Sequence, residues 1–246
     1  MITYSSPACF LADCHLPLIP SPGQEDWTPC VVRFLQQEAS KAGSLFIVGD
    51  LFDFWFEWKY SIPSGAFPVL AALHQLKSDG VRVLYLGGNH DGHVGKFLSE
   101  QVGIEVSREA VDLEIDQSQF HIIHGDGVAK YDHGYRLLRG AVRWPPTEAI
   151  YRMVHPDFGI WFAKKLSKGS HTYFSGKKIW SPDSYRDYAT EVLDRGMNFV
   201  VMGHRHESEW ISHKNGGFLA IGDWIRKRSY GWFENGKAEL RYFELQ

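Results

Sequence analysis

Three cysteines, Cys9, Cys14 and Cys30, are too few and too odd in number for a disulfide framework. No Cys-x-x-Cys pair is present to hold a structural zinc, so a reducing, cytoplasmic setting is the expectation. No apolar run approaches the roughly 18 residues of a membrane span. The opening stretch "MITYSSPACFLADCHL" lacks a basic segment and meets Asp13, so it reads as no secretory signal. Charge of one sign is lacking too: 26 Lys and Arg face 29 Asp and Glu, a net −3, and no nucleic-acid partner is expected. Repeats and low-complexity tracts are absent. What remains is globular: 246 residues, 44% hydrophobic and 22% charged, enough for one large domain with an insertion.

The first half alternates strand and helix. "ACFLA" (8–12), "SLFIV" (44–48) and "RVLYL" (82–86) read as buried strands. Between them, Trp27, Cys30, Val31, Phe34 and Leu35 mark one helical face, and Val69, Leu70, Leu73 and Leu76 a second. Strands follow at 111–115, 120–123, 199–202 and 217–221, and Asn235-Gly236 predicts a type I′ hairpin in the tail. The pattern predicts an α/β core of mixed sheets. Residues 128–195 differ: helical stretches rich in Trp144, Tyr151, Met153, Phe158, Trp161 and Phe162 carry 12 Lys and Arg against 7 Asp and Glu. This segment reads as a helical insertion on the core, not an independent domain.

Five segments share one design, an apolar strand that runs directly into polar ligands. They end in Asp13-Cys14-His15, in Asp50 with Asp53 behind it, in Asn89-His90-Asp91, in His124-Gly125-Asp126, and in His204-Arg205-His206. The carboxyl ends of strands in α/β sheets gather at one edge, so residues almost 200 positions apart can converge there. The donors are carboxylates, an amide oxygen and imidazoles, a set that suits two divalent ions such as Mn²⁺, Fe²⁺, Zn²⁺ or Co²⁺. A bridging carboxylate is needed between two such ions, and Asp50 is the candidate by its order in the chain. In Asp13-x-His15 and His204-x-His206, alternate residues of an extended segment point the same way.

Each piece alone has a bland reading. A single Asp-x-His is commonly a surface feature, and a lone His at a strand end is commonly a hydrogen-bonded structural residue. The ordered set of five at strand ends overrides that. His74, His93, His121, His155 and His213 keep the bland reading, and Cys14 reads as a packing residue. The aromatic run "FWFEW" (54–58) reads equally as a substrate-facing wall and as packing.

The motifs DxH (Asp13, His15), GDxxD (Gly49 to Asp53), GNHD (Gly88 to Asp91), HGD (His124 to Asp126) and GHxH (Gly203 to His206) resemble those of the calcineurin-like metallophosphoesterases, in the same order. The resemblance implies a sandwich of two mixed β-sheets flanked by helices, with a dinuclear metal centre, Mn²⁺ first among the candidates. One ion would take Asp13, His15, Asp50 and His206, and the other Asp50, Asn89, His124 and His204. His90 would meet the phosphoryl group, with Asp91 orienting its ring. A narrower resemblance is to the UDP-2,3-diacylglucosamine hydrolases. Asp132-x-x-Tyr135 and Ser170-x6-Lys177 keep that branch's spacing for substrate contacts, to which Asn89, His90 and His204 are added. The chain departs from its best-known members at His90, where they carry arginine, and at Phe174, where they have a polar contact. The implied partner is a nucleotide-sugar lipid, the insertion forms a lid over its acyl chains, and the setting is cytoplasmic, in peripheral contact with an anionic bacterial inner membrane. The alternatives are another phosphomonoesterase or phosphodiesterase on the same centre, and a non-catalytic scaffold on the same fold.

Overall fold

A computed structural model describes residues 2–18, 25–128, 140–163 and 182–244. Its twelve named strands form two six-stranded sheets. Sheet one has the order β1 (Ile2–Tyr4), β6 (Val111–Ile115), β7 (Ser118–Ile123), β8 (Phe199–Met202), β10 (Gly216–Ile221), β9 (Ser208–His213). Sheet two has the order β12 (Lys237–Tyr242), β11 (Ser229–Glu234), β2 (Ala8–Leu11), β3 (Ser44–Val48), β4 (Arg82–Leu86), β5 (Glu105–Ser107). Both sheets are mixed, as expected from the sequence.

Strand alternation sorts the core into layers. Phe10, Phe46, Val48, Leu84 and Leu86 face Phe120, Ile122, Phe199, Val201 and Leu219 between the sheets. Their odd-numbered neighbours Cys9, Leu11, Leu45, Ile47, Val83 and Tyr85 face outward, under α1 (Thr28–Gln37) and α2 (Phe67–Ser78). The helical faces expected around Phe34 and Leu73 are the buried ones. On the other side, Tyr185, Ala189, Val192 and Leu193 of α4 (Pro182–Asp194) pack on β8 and β10. That end of the span read as an insertion is therefore a helix of the core. Strands β1, β5 and β9 escaped the sequence pattern; they lie at sheet edges, where little apolar alternation is required.

In sheet two β2, β3 and β4 run parallel, and in sheet one so do β7, β8 and β10. The strand ends of the two sheets meet: the His124 ring of sheet one reaches the Val48 carbonyl of sheet two at 2.8 Å, and His204 N donates to the Asp13 carboxylate at 2.7 Å. The "FWFEW" run proves to be packing. Phe54, Phe56 and Trp58 surround Tyr151 of α3 (Pro145–Met153) with ring centroids 6.3, 4.7 and 5.9 Å away. No helix among the described residues is long and apolar enough to cross a membrane.

Candidate metal centre

The loops after β2 and β3 run side by side, with His15 N donating to the Asp50 carbonyl and Leu16 N to that of Leu51, each at 2.9 Å. This carries Asp13, His15 and Asp50 onto one edge. Asp13, His15, Asp50, His204 and His206 all adopt positive φ, between 45° and 66°. Left-handed backbone costs a non-glycine residue on the order of 1–2 kcal/mol. Five such residues at one place mark a site where folding stability is given up to aim side chains.

Three groups of donors lie together among the described residues, each within 4.8 Å: Asp13, His15 and His206; Asp50, His124 and His204; and His15, Asp53 and His90. The first two match the expected ligand sets. Asp50 Oδ2 lies 3.7 Å from His15 Nε2 and 3.3 Å from His124 Nε2, between the two groups. Asn89 Oδ1 is 3.1 Å from His124 Nε2, and the facing nitrogens His15 Nε2 and His206 Nε2 are 3.1 Å apart. His124 Nδ1 meets the Val48 carbonyl at 2.8 Å. A carbonyl only accepts, so Nδ1 keeps a proton, and it is Nε2 that gives up its own proton to present a lone pair to a metal. Asp13 Oδ2 accepts from His204 N at 2.7 Å, while its buried Oδ1 has no hydrogen-bond partner. A buried carboxylate oxygen left without a donor fits a cation position. The donor set thus fits the two divalent ions the sequence implies, and all seven expected ligands are brought together.

The electrostatics agree. Burial holds the imidazoles of His15 and His206 below their usual pKa and takes His204 to about 3, so all three are neutral at pH 7. Burial opposes ionisation of the Asp50–His124 pair, but their mutual attraction outweighs it: Asp50 is pushed well down and His124 well up. Burial raises Asp13 well above the usual carboxylate range, Asp50 adding to it. Without metal, the raised His124 holds a proton that ion binding must release, and the upward push on Asp13 works in the same direction. Affinity should rise with pH, and calorimetry at pH 7 in two buffers of different ionisation enthalpy should show net proton release, about one proton at full loading. Heats independent of buffer would mean the ligands are already deprotonated.

One expectation needs correction. The Asp91 carboxylate serves its own loops: Oδ1 accepts from Asp50 N (3.0 Å) and Gly88 N (2.7 Å), and Oδ2 from Leu51 N (2.7 Å), Phe52 N (3.4 Å) and Tyr85 Oη (2.5 Å). It pins the Asp50 and Asn89 loops together, whereas the His90 ring is oriented by the Asp53 carbonyl, 3.0 Å from Nδ1. Backbone amides leave no sequence signal, so only the fold shows this. Asp132, Tyr135, Ser170, Phe174 and Lys177 lie outside the described residues. Of the histidines read as structural, His74 bonds the Val102 carbonyl, His93 Glu148, His121 Asp112 and His213 Asp194.

The sequence reading missed Asp223 at a sixth strand end. It is buried, accepts from Arg226 N at 2.6 Å, and its charge favours protonation of Asp13 and His206. The signal was available, because "FLAIGD" (218–223) repeats the design of "LFIVGD" (45–50).

Comparison with known proteins matches residues 7–208 to the family model for calcineurin-like phosphoesterases. A UDP-2,3-diacylglucosamine hydrolase of Porphyromonas gingivalis is 28% identical, the likeness covering 87% of this chain and 88% of the relative. One of Vibrio parahaemolyticus is 26% identical, covering 89% and 91%. A solved archaeal phosphodiesterase aligns with 97% of this chain and 100% of its own at 13% identity and a TM-score of 0.46.

Proposed function

The chain belongs to the calcineurin-like phosphoesterase family, and on that premise we propose that it hydrolyses UDP-2,3-diacylglucosamine to UMP and 2,3-diacylglucosamine 1-phosphate in lipid A biosynthesis. The relatives bearing that activity in their names match nearly nine-tenths of the chain. The structural observation that carries the reading is an exposed apolar surface on helical residues that pack, through Tyr151, against residues 54–58. Trp144 just before α3, Ile150 and Met153 on it, and Phe158, Trp161 and Phe162 on the helical residues 156–163 expose large side chains. Tyr151 of α3 sits in the aromatic cluster of residues 54–58, next to the His90 loop. A soluble protein seldom leaves such a surface open without a partner. Acyl chains suit it, at about 0.8 kcal/mol per buried CH₂. The positive balance of residues 128–195 suits the diphosphate and an anionic membrane surface.

Asp13, His15, Asp50 and His206 would hold one ion, and Asp50, Asn89, His124 and His204 the other. Bound there, two divalent ions supply a nucleophilic water near neutral pH and charge to offset that of the phosphoryl oxygens. The chain's own residues do the rest. Asp91 and the left-handed backbone fix the loops before substrate arrives, so little reorganisation is needed. His90 donates from Nδ1 to the Asp53 carbonyl, and with a second proton on the ring its Nε2 would donate to the phosphate or to the leaving oxygen.

The test is UMP release from UDP-2,3-diacylglucosamine with Mn²⁺, beside hydrolysis of a soluble aryl phosphodiester. Turnover of the lipid nucleotide is expected to exceed that of the soluble ester by about 10²-fold or more in kcat/KM, from the binding contributed by the acyl chains. Brisk turnover of the soluble ester with no UMP would reassign the substrate to another phosphoester. No turnover of either would point to the scaffold.

A further inference from the structure

We propose that Arg143 is a positioning residue for the metal centre, holding the Asn89 loop in place from the insertion. Its Nη2 donates to the Gly88 carbonyl at 3.0 Å, while Nη1 donates to the Arg108 carbonyl at 2.9 Å and reaches Glu109 Oε1 at 3.5 Å. The side chain is only 15% exposed, and a Cβ on Gly92 would stand 2.6 Å from its Nη2, so the guanidinium packs closely against Gly92 of the same loop. Gly88 is thereby fixed at both ends, its N–H on Asp91 and its carbonyl on Arg143. Asn89 follows directly. It is exposed and outside any strand, so the aim of its Oδ1 at His124 depends on how its neighbours are held.

A second strut keeps Arg143 where it is. Glu148 Oε1 accepts from Arg108 Nη1 at 2.8 Å and meets His93 Nδ1 at 3.2 Å. The Val154 carbonyl, just past α3, accepts from Trp58 Nε1 at 3.0 Å. The insertion is thus bolted to the loop that carries Asn89 at its first helical residues, and contacts made on its apolar face can reach a metal ligand through Gly88. Partners hydrogen-bonded directly to a ligand change metal affinity by about 10–100-fold when removed, and Arg143, acting through the backbone of the residue before Asn89, belongs at the lower end. The inference rests on reading Asn89 as a ligand.

The experiment is Co²⁺ titration of the full chain followed by visible absorption, for the parent, Arg143→Met, Arg143→Lys and Asn89→Ala. Arg143→Met keeps the aliphatic stem and removes the donors. The second equivalent of Co²⁺ should bind about tenfold more weakly with an altered spectrum, and Arg143→Lys should recover most of both. A purely structural role would lower the melting temperature and leave the spectrum of the folded protein unchanged. Parent-like titration of Arg143→Met with weakened Asn89→Ala overturns the positioning role alone. Parent-like titration of both overturns the ligand reading and the positioning role with it. If Arg143→Met does not fold, Glu148→Gln decides: a severalfold weaker second ion supports the strut, and an unchanged one overturns it.

Discussion

Asp50→Asn should reduce turnover by roughly 10³-fold and lower bound metal from two ions per chain to one or none. Asp50 Oδ2 sits between His15 and His124, so its carboxylate is placed to serve both donor sets. The amide keeps the shape but carries no charge, and one of its two positions becomes a donor facing a cation. The fold should survive. Asp50 and His124 form a buried ion pair, and neutralising one member lets the buried imidazole become neutral as well, which limits the cost. Metal analysis after dialysis, with circular dichroism as the control for folding, checks the outcome. A variant that keeps two ions and parent-like rates would remove Asp50 from its bridging position.

Gly49→Ala should be strongly damaging. Gly49 has φ +86°, and a Cβ there would lie 2.3 Å from His124 Nδ1, 2.7 Å from its Cγ and 2.9 Å from the Gly88 Cα. Backbone strain costs about 1–2 kcal/mol, and overpacking typically adds about 1–3 kcal/mol. At about 2–4 °C per kcal/mol for a chain of this size, the melting temperature should fall by about 4–20 °C. The His124 ring must also move, which breaks its bond to the Val48 carbonyl and its aim at Asp50. Gly80→Ala is the internal comparison: φ is +94°, and nothing lies within 4 Å of the added Cβ. It should incur the backbone penalty only and retain full metal binding. Equal melting temperatures for the two variants, read by calorimetry on metal-free protein, would contradict the packing argument.

The contrast between these glycines shows where the sequence was legible. Both look alike in the sequence, one preceding Asp50 and one ending a helix, and both take positive φ. Only the packed structure places a histidine from another strand against the first. Asp91 teaches the same lesson. Its neighbour in sequence is His90, yet its carboxylate binds four backbone amides and the Tyr85 hydroxyl, because side chains one position apart seldom face each other at a turn.

What the sequence determined by itself was the set of donors and their order. Apolar strands broken by Asp, Asn and His, five times over, is a pattern that burial and hydration impose on residue types, so composition and spacing reveal it. The helical faces of α1 and α2 and the Asn235-Gly236 turn are local properties and were legible for the same reason. The tertiary structure alone decided the relations between strand ends: Asp50 standing between two imidazole groups, Asp91 turned to amides, α4 joined to the core, and Arg143 reaching the Gly88 carbonyl. These depend on how two sheets meet across distances of 40 to 190 residues. Backbone donors and acceptors settle much of that meeting, and they are the same in every amino acid but proline.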